Sequence, residues 1–184
     1  MSIFTEQEFR NIASQKAGFR GLSGVINESR TYSKSSSSTS IFLSHAHQDK
    51  AKIEQAKIFF ENLGIRIYVD WADQTMPERT NGITAQRIKN QIISQNDKFI
   101  LLATNNAVAS KWCNWEVGIA DPFKLPNKKM ALLPLADNSG NWTGNEYLQI
   151  YPRIEKNQLQ FGGEGYFVWF PDQTYISLET WLEN

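Results

Sequence analysis

From residue 41 onward, short apolar runs alternate with stretches of helical periodicity, and this alternation constrains the chain more than any other feature of its sequence. Ile41-Phe42-Leu43-Ser44 is a short, mostly apolar strand. In residues 49–63, Ile53, Ala56, Phe60 and Leu63 fall on one helical face, and Gly64 stands where a helix ends in the left-handed conformation. Ile65 to Asp70 reads as a second strand, followed by a polar loop over residues 71–82. Ala85, Ile88 and Ile92 mark a second helix, and Lys98 to Ala103 a third strand. Ser110 to Ala120 predicts a third helix with Ser110 as its N-cap, and Met130 to Leu135 a fourth strand. A long Gly- and Asn-rich connection, residues 137–165, precedes a fifth strand at Tyr166 to Phe170 and a terminal helix at Leu178 to Leu182. Largely apolar strands separated by amphipathic helices predict an α/β fold: a central parallel five-stranded sheet with helices on both faces.

Ahead of this pattern, residues 4–17 predict a short helix. Thr5 and Glu8 have capping-box spacing, and Phe4 and Phe9 stand at the two positions of a hydrophobic staple. Tyr32 to Ser40 is polar and low in complexity, so the chain divides into an N-terminal helical extension with a Ser-rich linker (1–38) and a domain (39–184). With 184 residues, the fold can bury roughly two-thirds of the unfolded surface and needs no staple. The single cysteine, Cys113, forms no internal disulfide and points to a cytoplasmic protein. Residues 1–20 lack a signal-peptide pattern, and the apolar runs are too short to cross a bilayer. The 19 basic and 19 acidic side chains balance, which gives no support for a nucleic-acid surface. Neither a membrane nor a nucleic acid is an expected partner.

In parallel sheets of this type, ligands bind beyond the carboxyl ends of the strands. Three segments occupy such positions: His45 to Asp49, Trp71 to Gly82, and Thr104 to Trp115. The sequence has no GxGxxG, no phosphate-binding GxxxxGK[ST] loop and no GxSxG elbow. One cysteine and two histidines cannot build a Cys-rich zinc site, and His45 with His47 lacks a third ligand, so no metal is expected. A phosphoacceptor receiver would need an acidic pair after the first strand, where this chain has Ser44-His45-Ala46-His47.

The segment Asn106-Ala107-Val108-Ala109-Ser110-Lys111-Trp112-Cys113, followed by Glu116, resembles the Tyr-Ala-x-Ser-x-Trp-Cys-x-x-Glu segment of TIR (Toll/interleukin-1 receptor) domains. Ala107 departs from it, standing where the family prefers Tyr. Ile41 to His45 resembles the first box of that family, and Tyr68-Val69-Asp70 the end of its second strand. Trp71 to Gly82 lies where the family carries its BB loop, with Gly82-Ile83 only loosely resembling the loop's ending. The resemblance covers about residues 40–184 and implies a three-layer, flavodoxin-like TIR fold. The long 137–165 connection resembles stand-alone bacterial members of the type found in anti-phage defence.

In enzymatic members the Glu of this segment is catalytic, which implies that role for Glu116. NAD is then the substrate, and no cofactor is needed. The products would be nicotinamide and ADP-ribose or a cyclic ADP-ribose-type signalling nucleotide. The resemblance also implies TIR–TIR self-association and a separate effector protein reached through the nucleotide product. Trp112 lies four residues before Glu116, on the same helical face. Without the Ser-x-Trp-Cys context, Glu116 would read as a solvated helix residue and Trp112 as a core anchor.

Ser44 and His45 either contact the nucleotide or only cap their strand. Asp70 and Trp71 end the second strand, and Trp71 either stacks on a base or packs beneath the loop. Arg79 either pairs with the diphosphate or is solvated. Cys113 reads as a small core residue. Trp142, Tyr147, Tyr151 and Trp169 make the C-terminal third aromatic, as core or as a self-association surface. Two further functions are compatible with the pattern: a non-catalytic adaptor acting by self-association, and a nucleoside deoxyribosyltransferase.

Overall fold

The computed structural model describes residues 2–17, 39–70, 82–144, 149–159 and 163–184. Most of the Ser-rich linker lies outside the described residues, as do Trp71, Arg79 and Tyr147. The strands are β1 (Phe4–Thr5), β2 (Ser40–Ser44), β3 (Arg66–Tyr68), β4 (Lys98–Ala103), β5 (Met130–Ala136), β6 (Arg153–Gln158), β7 (Glu164–Trp169) and β8 (Tyr175–Ser177). The helices are α1 (Glu6–Ala17), α2 (Lys50–Glu61), α3 (Gly82–Asn90), α4 (Asn105–Ala109), α5 (Lys111–Lys124) and α6 (Leu178–Glu183). A wider π turn, Gln91–Gln95, continues α3.

The sheet runs β3-β2-β4-β5-β6-β7-β8, with β1 paired to β5. Pairing is parallel from β3 through β6 and antiparallel from β6 to β8. Among the described residues, the five-stranded parallel sheet expected from the sequence is an eight-stranded, mostly parallel one. The fifth parallel position is filled by β6 rather than by Tyr166 to Phe170, which supplies the antiparallel strand β7. The physical reason lies in the composition of β6. Its sequence, Arg-Ile-Glu-Lys-Asn-Gln, has one apolar residue, Ile154, which is fully buried. Its charges are neutralised locally: Arg153 pairs with Glu155 at 3.1 Å, and Lys156 with Glu8 at 2.5 Å.

Alternation along the strands fills two cores. Ile41, Leu43, Ile100, Leu102, Ala131 and Leu133 face one side, packed with Phe9 of α1, Ile53, Ala56 and Phe60 of α2, and Trp181 of α6. Phe42, Phe99, Leu101, Met130 and Leu132 face the other, against Ile88 of α3, Val108 of α4, and Val117 and Ala120 of α5. Strands apolar on both faces fit a sheet sandwiched by helices. Gly64 closes α2 at φ 76°, in the left-handed region that favours glycine.

The N-terminal segment joins the same core. Thr5 Oγ1 accepts from the Glu8 amide at 3.2 Å, and Glu8 Oε2 accepts from the Thr5 amide at 2.8 Å, closing a reciprocal cap. The Phe4 and Phe9 rings meet edge-on with centroids 5.6 Å apart. Phe4 also lies on β1, registered opposite Leu135 of β5. Phe9→Ala should therefore cost ~3–4 kcal/mol, as for a buried Phe. Urea unfolding measures it, and a loss below ~1 kcal/mol would mean that α1 is only loosely attached.

Candidate active site

The strand order places β2 between β3 and β4, the reversal point at which a crevice opens beyond the carboxyl ends. β2 ends at Ser44, which is 1% exposed. Helix α5 crosses the same face of the sheet. It starts at Ser110, whose hydroxyl accepts from the Cys113 amide at 3.3 Å. Cys113, Glu116, Val117, Ala120 and Lys124 then form its buried stripe, at helical spacing. Glu116 is the one carboxylate in that stripe and is 2% exposed. Ser44 Oγ donates to Glu116 Oε2 at 2.5 Å.

Burial pushes the Glu116 carboxyl up to about 8. The hydrogen bond from Ser44 opposes that rise, the negative charge of Asp70 adds to it, and a hydrogen bond from the Trp112 side chain opposes it again. The Trp112 and Trp115 rings lie 4.6 Å apart at 32°. Cys113, beneath the site, has its thiol raised to about 11, first by burial and further by the charges of Glu116 and Asp70. That is far from the activated thiolate a nucleophile needs.

The structure brings Ser44, Trp112 and Glu116 together and sets His45 with Asp70 beside them. His45 Nδ1 lies 2.8 Å from the Leu43 carbonyl oxygen, and Nε2 lies 3.3 Å from Asp70 Oδ1. The His45 side chain is 5% exposed and that of Asp70 27%, so Asp70 is the partner that reaches solvent. β2 and β3 pair Phe42 with Tyr68, so His45 and Asp70 both lie just beyond the carboxyl ends of neighbouring parallel strands.

A second polar cluster at this end of the sheet is not apparent in the sequence. Asp49, 3% exposed, accepts from Thr104 Oγ1 at 2.5 Å, Asn106 Nδ2 at 2.9 Å and Lys52 Nζ at 2.8 Å. Lys52 also reaches Glu6 of α1 at 2.9 Å. After β5, Trp142 Nε1 donates to the Ala103 carbonyl at 2.8 Å, and the Thr143 amide donates to Asn105 Oδ1 at 2.8 Å. Gly144 lies against the Trp142 ring so closely that a Cβ there would sit 2.3 Å from a ring carbon. The start of the long connection is thus strapped across the tip of β4.

A family model described as TIR domain matches residues 41–158, from β2 through β6. The chain belongs to the TIR domain family. It is also 31% identical over 154 residues to a Bacillus cereus (strain MSX-D12) protein named probable 3' cyclic ADP-D-ribose synthase ThsB', covering 78% of this chain and 75% of that protein. Ser44, Asp70 and Glu116 all fall within the stretch matched to the TIR model. No helix among the described residues is long and apolar enough to cross a membrane.

The raised Glu116 carboxyl has a consequence for stability. Between about 4.5, its ordinary value, and about 8, the folded chain holds a proton that the unfolded chain has released. Its contribution is therefore fully present below pH 4.5 and is lost as pH rises through 8. Glu116→Gln, which keeps the shape and removes the titration, should be more stable than the parent by ~2–4 kcal/mol at pH 9 and nearly equal at pH 5. Parallel urea titrations at those two pH values give the difference, and a gap independent of pH would contradict it.

Proposed function

We propose that this TIR domain cleaves NAD between nicotinamide and ribose, with Glu116 as the catalytic carboxylate. The observation that carries this reading is a buried Glu116, tied to the end of β2 by Ser44, in the crevice of a TIR fold. The nicotinamide of NAD is cationic and leaves neutral, so no general acid is required. The ribose passes through an oxocarbenium-like state, as in glycoside cleavage. A carboxylate preorganised next to the sugar, in a site closed to water, stabilises that charge more than water would.

The charge logic of the site supports this. Burial leaves Glu116 largely protonated at neutral pH. A cationic ring arriving nearby favours the ionised form, because an opposite charge within a few ångströms lowers a carboxyl's pKa. Around the ribose, Ser44, His45, Asp70 and Trp112 are the proposed contacts, with Trp71 as a stacking surface and Arg79 as the diphosphate partner. The product is ADP-ribose or a cyclic ADP-ribose-type nucleotide. The name of the Bacillus relative favours the cyclic form, in which a hydroxyl of the same molecule replaces water as the attacking group. Such a nucleotide would act as a messenger to a separate effector in anti-phage defence within the cytoplasm, with activity supported by TIR–TIR self-association.

The test is nicotinamide release from NAD, followed by chromatography and mass over a range of protein concentrations. Glu116→Gln and Glu116→Ala should each lose a hundredfold or more, about the effect of removing one preorganised electrostatic group. Full activity in both variants would remove Glu116 from the mechanism.

The pH profile is a separate test. Since kcat/KM reports the free enzyme, it should rise about tenfold per pH unit below about 8 and level off above it. A profile flat between pH 6 and 9 would show that Glu116 ionisation is not required.

A further inference from the structure

We infer that Asp70, held from behind by His45, is the base that takes the proton from the attacking hydroxyl, while Glu116 serves only the ribosyl cation. The inference rests on the proposed NAD cleavage and divides its chemistry between two carboxylates. Cleavage breaks the ribose C1′–N bond, and the electron pair leaves with neutral nicotinamide. An oxygen nucleophile, either water or a ribose hydroxyl, then bonds to C1′ and must release its proton. Beyond the proton that Glu116 gives up as it ionises on substrate binding, that is the proton the reaction has to place.

Glu116 is badly sited to receive it. It is 2% exposed, and one of its oxygens is taken by Ser44. Accepting it would discharge the group that stabilises the cation. Asp70 differs in its exposure. Its side chain is 27% exposed, so a proton taken there can exchange with water. It lies 3.3 Å from the ring of His45, the residue after Ser44, and its charge is felt at both Glu116 and Cys113. Two carboxylates flanking a sugar carbon, one stabilising charge and one handling a proton, is the division of labour used in glycoside cleavage.

His45 is the positioning residue. Its Nδ1 is oriented by the Leu43 carbonyl at 2.8 Å, which fixes the ring and aims Nε2 at Asp70 Oδ1, 3.3 Å away. Its side chain is 5% exposed, so the ring is held within the fold. An imidazolium held in this way, donating one N–H to the Leu43 carbonyl and the other to Asp70, fixes the direction of the carboxylate, as supporting hydrogen bonds do in other preorganised sites.

The test uses a nucleophile that has no proton to lose. The full chain is given NAD together with 3-acetylpyridine, whose ring nitrogen can replace nicotinamide directly. Two products are measured side by side: the exchanged dinucleotide, and the hydroxyl-derived products, linear and cyclic ADP-ribose together. In Asp70→Asn the hydroxyl-derived products should fall about a hundredfold further than the exchanged dinucleotide, the size of a lost general base. His45→Asn should shift the ratio in the same direction by less, and Asp70→Glu should restore part of it.

The ratio is the readout, so a smaller folded fraction lowers both products alike and divides out. Should Asp70→Asn not fold at all, the ratios in His45→Asn and Asp70→Glu decide. An unchanged ratio in all the folded variants overturns the proposal and leaves Asp70 as a binding or structural residue. A parent chain that neither releases nicotinamide nor exchanges it overturns the NAD-cleavage reading itself, an outcome that no ratio can mimic.

Discussion

A hydrogen bond from Ser44 on β2 to Glu116 on α5 joins the sheet to the helix that carries the candidate carboxylate. Burying a carboxyl group without a compensating charge is costly, and the molecule meets the cost by raising the group's pKa rather than by placing a cation beside it. That choice demands accurate packing. Ser44 must end its strand where α5 crosses, and α5 must start at Ser110 for Glu116 to fall in the buried stripe. Phe42, Leu101 and Val117, which share the core beneath, hold that crossing in place. Burying each of these side chains contributes roughly 1.5–3 kcal/mol, enough collectively to carry one unfavourable polar group.

The Asp49 cluster works by the opposite rule. Three donors surround that buried carboxylate, from Thr104, Asn106 and Lys52. A satisfied network of this kind fixes geometry. Here it ties the start of α2 to the loop after β4, and through Lys52 and Glu6 it extends to α1. Trp142, bonded to Ala103 from the other side, adds a second brace on the same loop. The crevice therefore lies between rigid supports, with one under-compensated carboxylate in its wall. Confining the uncompensated burial to Glu116 lets that group respond to a ligand while these bonds hold the loop after β4.

The sequence made the centre of the sheet legible and hid its edges. β2, β4 and β5 are buried on both faces and read as apolar runs. Ser110 and Thr5 read as caps because a small hydroxyl before a helix has a local hydrogen bond to make. β6 was hidden because only Ile154 needed to be apolar, and β1 and β8 are too short for any period to show. Glu116 and Ser44 could be picked out through the family resemblance, but their direct bond spans 72 residues and leaves no mark in local spacing. Asp49 was obscured for a related reason. An acid at a helix start reads as a cap, yet its oxygens go to α4, the preceding threonine and Lys52, and it makes no cap bond. The pairing of His45 with Asp70 likewise depends on the parallel register of β2 and β3.

The same burial that makes Glu116 hard to ionise also suits it to a cationic substrate. In the proposed reaction, the oxidised nicotinamide brings a positive charge into a pocket of low dielectric, where its attraction for a carboxylate is many times stronger than in water. Binding and ionisation then favour each other. The reduced dinucleotide has a neutral ring. It would leave Glu116 protonated and would offer a poor leaving group, so both the site and the bond would be unready. A salt-bridged glutamate would be ionised already and would gain less from the ligand's charge. Discrimination between the two redox forms thus follows from withholding a counter-ion, with no contact needed to read the ring itself.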